Sequence, residues 1–298
     1  MKNKVSISFK EVQDFICNQL EKLDGKAKFK EDLWEREEGG GGRTRIISDG
    51  NIFEKGGVNF SEVYGPVTEM MKKQLKLDGD EFYATGVSIV LHPHNPFHPI
   101  MHMNIRYFEM DNGKEYWFGG GIDMTPHYVD EKLARDFHLE LKKVSDKYSD
   151  QFYPKFKKWA DDYFFIPHRN ETRGIGGIFY DHQKATETIS KLDLLNYAID
   201  LGRLFPELYE HQVGNAINKT PTDTNYRWRN VRRGRYVEFN LVYDRGTKFG
   251  LKTGGRIESI LMSLPETAEW HYNFVPEKGT EEEKTLKKLK KNIDWVSF

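Results

Sequence analysis

The sequence predicts an α+β protein built on one antiparallel β-sheet. Strand-like and helix-like runs are segregated along the chain, which is typical of antiparallel sheets and not of doubly wound folds. The chain has 298 residues, enough for one large domain with a sizeable core. It contains no internal repeats and no low-complexity linker. We therefore predict a single domain over residues 1–298, with an N-terminal helical segment at 1–38 and a C-terminal surface helix at 275–298.

The first predicted element is an amphipathic helix. Ser8 and Glu11 form a capping box, apolar residues follow at helical spacing as far as Leu23, and Gly25 ends the helix. A short amphipathic piece at 29–34 then leads to four consecutive glycines.

Residues 43–121 are typical of strands. Two turn signals, Ser48–Asn51 and Asp111–Lys114, predict hairpins. The further elements predicted in this region are a helix at Met70–Leu77 and strands at Thr85–His92, His102–Met110 and Glu115–Gly120.

Helices dominate the middle of the chain, and strands return near its end. The predicted helices are Asp130–Tyr148, Phe152–Tyr163, Thr186–Leu204 and Pro206–Asn218, with a loop at Phe164–Asp181. A hairpin turning at Asp244–Gly246 would join strands at Arg235–Tyr243 and Thr247–Lys252. The last elements are short helices at Ile257–Leu264 and Glu281–Lys291.

Composition excludes several classes of function. Lys plus Arg is 45 and Asp plus Glu is 46, and the net charge of -1 argues against electrostatic capture of nucleic acid. The single cysteine, Cys17, excludes a disulfide framework and a cysteine-held iron–sulfur cluster. The N-terminus has no signal-peptide run, and no stretch approaches the ~20 apolar residues of a membrane span. We therefore expect a cytoplasmic protein with no membrane span.

Two neighbouring strands carry polar residues on alternate positions. Side chains of a strand alternate between its faces, so Ser88 and His92 share one face, as do His102, Asn104 and Arg106 in the next strand. This pattern indicates either the solvent face of an antiparallel sheet or a wet cavity above it. The residues alone do not decide between the two.

Four histidines suggest a third interpretation, a divalent-metal site. Histidine is the commonest metal ligand, and the candidates are His92, His102, His138 and His168. No two of them stand at i,i+4 on one helix, and no HExxH motif is present, so the spacing gives the metal weak support.

Arginines and glycines near the C-terminal third are suited to carboxylates. The segment Arg227–Arg235 holds five arginines, which are either a solvated or partner-facing surface or a group that binds acidic ligands. Gly254, Gly255 and Arg256 predict a carboxylate nest, because the two glycines expose backbone N–H groups beside a guanidinium. The glycine runs lack the features of phosphate loops, so nucleotide binding is not predicted.

Several long segments resemble one family. They are GGGGR at 39–43, TGVS at 85–88, HMNIR at 102–106, WFGGGIDMTPHY at 117–128, FFIPHRNETRGIGGIFYD at 164–181 and the stretch from Arg232 to Trp270. In this order, from about Gly39 to Phe274, the chain resembles the oxygen-dependent coproporphyrinogen-III oxidases of haem biosynthesis. The resemblance implies a large antiparallel sheet flanked by α-helices on both sides, and a homodimer formed through roughly Tyr236 to His271.

The resemblance also implies a reaction. Two propionate side chains of coproporphyrinogen III are oxidatively decarboxylated to vinyl groups, which gives protoporphyrinogen IX and carbon dioxide. Dioxygen is the co-substrate and no cofactor is required, although bacterial members are described with a divalent metal. The unrelated oxygen-independent enzyme needs three cysteines, which this chain does not have. The alternative function is a tetrapyrrole-binding or carrier protein without catalysis, and a nucleic-acid binder ranks third.

The family's functional residues fall on specific positions here. Its substrate-binding serine falls on Ser88, its proton-donor histidine on His102, and its aspartate for the pyrrole N–H groups on Asp244. Its other substrate contacts fall on Asn104, Ile105, Arg106, Gly254, Gly255 and Arg256. Its metal ligands fall on His92, His102, His138 and His168.

Overall fold

The protein is built around one seven-stranded sheet. The computed structural model describes residues 1–69, 71–72, 79–216, 219–252 and 254–298, so most of the helix predicted at Met70–Leu77 lies outside the described residues. The strands are β1 Lys30–Glu35, β2 Gly40–Ser48, β3 Phe53–Pro66, β4 Glu81–Pro93, β5 Ile100–Met110, β6 Glu115–Thr125 and, after the two-residue strands β7 Phe165–Ile166 and β8 Glu171–Thr172, β9 Gly177–Gln183. The sheet has the order β1-β2-β3-β4-β5-β6-β9, and all neighbours are antiparallel.

The two predicted hairpins are confirmed. Asp49 has φ 56° and Asn112 has φ 57°, the left-handed conformation that Asp and Asn tolerate in tight turns. The second turn pairs Met110 with Glu115 and fixes the register of β5 against β6 along their whole length.

Helices cover one face of the sheet and form the main core. They are α1 Lys2–Asp24, α2 Glu131–Asp146, α3 Phe152–Tyr163 and α4 Lys191–Gly214. Helix α1 packs on β3 and β4, α4 packs on β5 and β6, and α3 packs on β9. The inward residues of the strands, such as Val87, Ile89, Met103 and Ile105, are fully buried against these helices.

The C-terminal third covers part of the opposite face. It contains α5 Asp223–Glu238, a π-helix at Phe239–Tyr243, α6 Arg245–Lys252, α7 Ile257–Leu261 and α8 Glu281–Lys288. Asn59 on β3 donates to the Ser259 carbonyl at 3.0 Å, and Tyr236 packs with Val90 and Ile100. The predicted α+β sheet with helices on both sides is therefore confirmed.

Three predictions of local structure were wrong, and a fourth, the surface helix at 275–298, was confirmed only at Glu281–Lys288. The segment at 1–38 is a helix followed by β1, because residues 30–35 pair with β2. Pro206 lies inside one continuous helix, α4, instead of separating two. The predicted loop at 164–181 contains β7 and β8 and enters β9, which completes the sheet. Near the C-terminus, Trp295 is 2% exposed and packs beside His138, so 275–298 is not purely a surface element.

The strands predicted at Arg235–Tyr243 and Thr247–Lys252 were also wrong. Aromatic and β-branched residues there favour a strand locally. The structure instead continues α5 into the π-helix and α6. The helical turn brings Arg235 within 3.0 Å of Glu238, and Asn240 on the π-helix accepts from the buried Arg173 at 2.7 Å. Asp244 caps α6 by accepting a hydrogen bond from the Thr247 N–H at 2.6 Å.

Two buried histidines should make the fold sensitive to acid. Burial lowers the pKa of His98 to about 4, and it lowers the pKa of His127 well below its usual range. The Nδ1–H of His127 donates to the Pro96 and His98 carbonyls at 3.2 and 3.1 Å. These bonds favour the charged ring, but burial and the charges of Arg233 and Arg229 outweigh them. A folded-state pKa below the unfolded value of about 6.5 means that stability is complete above pH 6.5 and is lost as the pH falls.

We predict that replacement of His98 by Leu flattens this loss. Neither ring nitrogen of His98 has a hydrogen-bond partner among the described residues, so Leu removes a titrating group without breaking a bond. The wild-type protein should lose roughly 2 kcal/mol more stability than the variant between pH 6.5 and pH 5, at about 1.4 kcal/mol per pH unit. Urea unfolding at both pH values measures this, and equal losses in the two proteins would contradict it.

Candidate active site

The face of the sheet opposite the main core carries three rows of polar and small residues, which we call the site face. Directly paired residues on successive strands form each row. The first row is Thr44, Asn59, Ser88, Asn104, Gly121 and Phe179; the second is Gly42, Ser61, Gly86, Arg106 and Gly119; the third is Ile46, Gly57, Val90, His102, Asp123 and Gly177. The predicted grouping of Ser88 with His102, Asn104 and Arg106 on adjacent strands is confirmed. His92, the fifth residue of the predicted group, is fully buried and is not displayed on this face.

Glycines make this face shallow where the polar residues stand. A Cβ on Gly121 would lie 2.8 Å from the Ile178 carbonyl oxygen and 3.1 Å from the Phe179 ring. A Cβ on Gly119 would lie 2.6 Å from Asp181 Oδ1 and 2.8 Å from Arg106 Nε. The absence of side chains on β6 therefore leaves the room that the polar groups of β5 and β9 occupy.

His102 is held by a buried ion pair. Its Nδ1 lies 2.8 Å from Asp123 Oδ1, and the same oxygen lies 2.7 Å from Nη2 of Arg173. The other carboxylate oxygen accepts from Arg173 Nε at 3.1 Å. The π-helix contributes Asn240, whose Oδ1 accepts from Arg173 Nη1 at 2.7 Å. The Arg173 guanidinium is also enclosed by the aromatic rings of Phe164, Tyr236 and Phe239.

Electrostatics fix the protonation of this group. Burial raises the pKa of Asp123, but the charge of Arg173 and the hydrogen bond with His102 outweigh it, so the net pKa is lowered. An ionised carboxylate only accepts hydrogen bonds, so Nδ1 of His102 carries the proton. Nε2 is then the nitrogen available to a ligand. The His102 side chain is 22% exposed, whereas those of Asp123 and Arg173 are 1% and 2% exposed.

Arg106 lies at the other side of Asn104. Its Nη1 donates to Asn104 Oδ1 at 2.8 Å, and its Nη2 lies 2.9 Å from Asp181 Oδ2. Ile105, predicted as a substrate contact, is fully buried in the core on the opposite face. Its side chain does not contribute to the site face, because consecutive residues of a strand point in opposite directions.

Asp244 lies between the Tyr163 side chain and the start of α6. Its Oδ1 accepts from the Tyr163 hydroxyl at 2.9 Å. Its charge, together with that of Asp123, helps raise the pKa of Arg173 against the opposing effect of burial. Asp244 is thus anchored by its own chain and electrostatically coupled to the His102 group.

The Gly254-Gly255-Arg256 corner follows α6 and lies over β1 and β2. Gly254 has φ +71°, a conformation that favours glycine. The Gly255 N–H donates to the Gly250 carbonyl at 2.8 Å, so it is not a free donor as the nest prediction required. Arg256 donates to Ser259 Oγ at 3.0 Å and is paired with Asp32.

The four histidines predicted as metal ligands do not fit a common site. His138 lies in the core, where its nitrogens bond to the Tyr153 hydroxyl and the Ile175 carbonyl at 2.9 and 3.0 Å. Both nitrogens of His168 are engaged by Tyr243 and Glu238. His92 is buried, with Nε2 2.8 Å from the Ser263 carbonyl oxygen. No group of three or more His, Cys, Asp or Glu side chains among the described residues could hold a metal ion.

We therefore predict that removal of divalent metals leaves activity unchanged. Dialysis against a chelator should alter kcat and KM by less than about twofold, since the histidines already have hydrogen-bond partners within the chain. Elemental analysis before and after dialysis is the control. Loss of activity that zinc or manganese restores would contradict the prediction.

Comparison with known proteins identifies the family. The family model for coproporphyrinogen III oxidase matches residues 4–295. The chain belongs to this family. It is 47% identical to coproporphyrinogen-III oxidase 1, chloroplastic, of Arabidopsis thaliana over 95% of this chain and 76% of the relative. It is 46% identical to the oxygen-dependent enzyme of Prochlorococcus marinus strain MIT 9312, over 96% of this chain and 90% of the relative. The human mitochondrial enzyme is 46% identical over 99% of this chain and 67% of its own length.

Several residues of this coproporphyrinogen oxidase site escaped the sequence reasoning. Asp123 could have been found, because the hairpin turn places it directly opposite His102. Asp181 and Arg173 lie in the segment predicted as a loop at 164–181, and no periodicity there indicated which of its side chains would reach the site. Asn240 was interpreted as part of a strand, so its contact with Arg173 had no signal in the sequence.

Proposed function

We propose that this protein catalyses the oxygen-dependent oxidative decarboxylation of two propionates of coproporphyrinogen III to vinyl groups, giving protoporphyrinogen IX in haem biosynthesis. Membership of the family supports the reaction. The structural observation that carries it is the partly exposed His102, which is oriented by the buried Asp123–Arg173 pair and shares its strand face with Arg106. A carrier protein would need the arginines but has no use for an oriented imidazole.

Two arginines are placed to bind different propionates of one tetrapyrrole. Arg106 stands on β5, while Arg256 contacts Thr44 on β2. These strands are three spacings apart, roughly 14 Å at about 4.8 Å per strand. Asn59 and Ser88 stand on the two strands between them, and we assign Ser88 and Asn104 to substrate contact. Separate anchors of this kind fix which propionates stand near His102.

His102 is assigned as the proton donor, and Asp244 as the group that meets the pyrrole N–H donors. A protonated Nε2 can give its proton to the departing oxygen species, while Asp123 stabilises the imidazolium. Asp244 can stabilise positive charge that develops on the electron-rich pyrrole. In each cycle a propionate loses carbon dioxide and one β-hydrogen, and two electrons pass to dioxygen. The pyrrole can react with oxygen directly, so we propose no redox cofactor.

Turnover in air and under argon tests the function. Purified protein is incubated with coproporphyrinogen III in both gases, and the products are oxidised to porphyrins and separated by chromatography. Protoporphyrin should form in air only. Binding of the substrate without product in either gas would favour the carrier alternative, and salt-sensitive retention of DNA or RNA would favour the third one.

We further propose that the protein acts as a homodimer through roughly Tyr236 to His271. This segment and the residues beside it carry exposed apolar side chains, including Leu241, Val242, Ile257, Trp270 and Tyr272. Such a cluster is typical of a protein interface. Light scattering should give twice the chain mass of 35.0 kDa. The Val242→Glu variant should give the monomer mass, and a monomeric wild-type protein would refute the proposal.

The cytoplasm is the proposed location. No helix among the described residues is long and apolar enough to span a membrane. The Prochlorococcus relative carries no organelle in its name, whereas the plant and human relatives are named chloroplastic and mitochondrial. Cell fractionation with antibody detection tests this.

A further inference from the structure

Both arginines assigned to propionates already have a carboxylate partner from their own chain. Arg106 Nη2 lies 2.9 Å from Asp181 Oδ2, and Arg256 is paired with Asp32. The side chains of Arg106 and Asp181 are 34% and 22% exposed, so a ligand can reach the pair. A propionate that binds either arginine must therefore compete with an aspartate that has the same chemistry.

The Arg106–Asp181 pair is a built arrangement of the fold. Asp181 follows the site-face residue Phe179 on β9, and its Oδ1 accepts from the His182 N–H at 3.0 Å. His182 adopts φ 49°, an unusual conformation for this residue, at the same corner. Gly119 lies beneath the pair, where any side chain would meet Asp181 Oδ1 and Arg106 Nε below 3.0 Å. Three backbone features thus hold the carboxylate beside the guanidinium.

We propose that Asp181 is a placeholder: it holds Arg106 ready in the substrate-free enzyme and is displaced from one guanidinium edge by a propionate of the substrate. This inference rests on the proposed function, because it takes Arg106 as a propionate anchor. Asp181 acts through Arg106 and is therefore a positioning residue. Because Asp181 competes for Arg106, it lowers the affinity of the site for every ligand that binds through a carboxylate. The relative loss is greatest for ligands that have few carboxylates. Return of Asp181 to Arg106 at the end of the cycle then favours release of the product.

The Asp181→Asn variant tests this by an effect opposite to that of losing a binding residue. The probe is coproporphyrin III, the stable oxidised form with four propionates, and binding is followed by fluorescence. The Kd should fall about two- to fivefold, since an ion pair that solvent can reach is weak and competes only modestly with the ligand. KM for coproporphyrinogen III should fall similarly while kcat does not rise. Asp181→Glu should restore wild-type values.

Two controls separate the placeholder from a structural role. Asp146→Asn removes an aspartate paired with Lys142 on α2, at similar exposure but behind the core, and should leave Kd and KM unchanged. In an Arg106→Gln background, Asp181→Asn should no longer tighten binding, because the two substitutions act on one interaction.

Weaker or unchanged coproporphyrin binding in Asp181→Asn, with an intact thermal unfolding midpoint, would overturn the proposal. Tightening that persists without Arg106 would also overturn it. The proposed function fails separately, through the absence of protoporphyrin from wild-type protein in air. Because coproporphyrin binding is measured without turnover, the effect of Asp181→Asn can still be interpreted if the protein forms no protoporphyrin.

Discussion

Replacement of Asp123 by Asn should lower kcat by roughly 10²–10⁴-fold, the range seen when the carboxylate that orients a catalytic histidine is neutralised. Asn keeps the shape of Asp123 but not its charge, so the imidazolium of His102 loses the carboxylate that stabilises it and Arg173 loses its counter-ion. The side chains of Asp123 and Arg173 are 1% and 2% exposed, and an unpaired buried charge should also cost roughly 3–5 kcal/mol of stability.

A matched variant separates chemistry from stability. Asp24 is a buried carboxylate that accepts from the backbone N–H groups of Ala27, Ile52 and Phe53, on the helix-covered side of the sheet. Asp24→Asn should lower the unfolding midpoint and leave kcat within about twofold of wild type at temperatures where it remains folded. Steady-state kinetics and calorimetry on both variants measure this. A kcat for Asp123→Asn close to that of Asp24→Asn would refute the orienting role of Asp123.

Replacement of Glu54 by Ala should lower the free energy of unfolding by roughly 3–5 kcal/mol. Glu54 on β3 pairs with Arg233, whose side chain is fully buried, and lies 3.7 Å from Arg229. Burial and the neighbouring Arg229 lower the pKa of Arg233 to about 10, although Glu54 opposes them. Without Glu54, two arginines of α5 face each other in the interior. The measurement is chemical unfolding of the purified variant.

The double variant Glu54→Met with Arg233→Met is the control for charge. It removes both members of the pair, so it should regain much of the stability that Glu54→Ala loses. Glu31→Ala, which removes an exposed partner of Arg45, should change stability by less than about 1 kcal/mol. A Glu54→Ala protein as stable as wild type would show that the pair does not hold α5 on the sheet.

Much of the site could be predicted from local patterns. The alternation of Ser88, His102, Asn104 and Arg106 required only that two strands exist and pair. The turn at 111–113 also determined which residue lies opposite His102. His102 and Asp123 are the same number of residues away from the turn on their two strands, so they pair directly. The residues themselves indicated the Gly-Gly-Arg corner, and the family resemblance added Asp244 and Ile105. In the structure the Ile105 side chain lies in the core and the Gly255 N–H bonds to the Gly250 carbonyl.

The sequence by itself determined the hairpins, the faces of their strands and the family. Each of these depends on periodicity or on turn residues close together in the chain, which tertiary contacts rarely overrule. The tertiary structure alone decided that residues 235–252 are helical, that Arg173 and Asn240 support His102, and that the predicted metal histidines lie apart. Those outcomes depend on buried charges and polar groups finding partners far away in sequence. An unpaired charge in the interior costs more than the local preference for a strand, so the distant partners prevail.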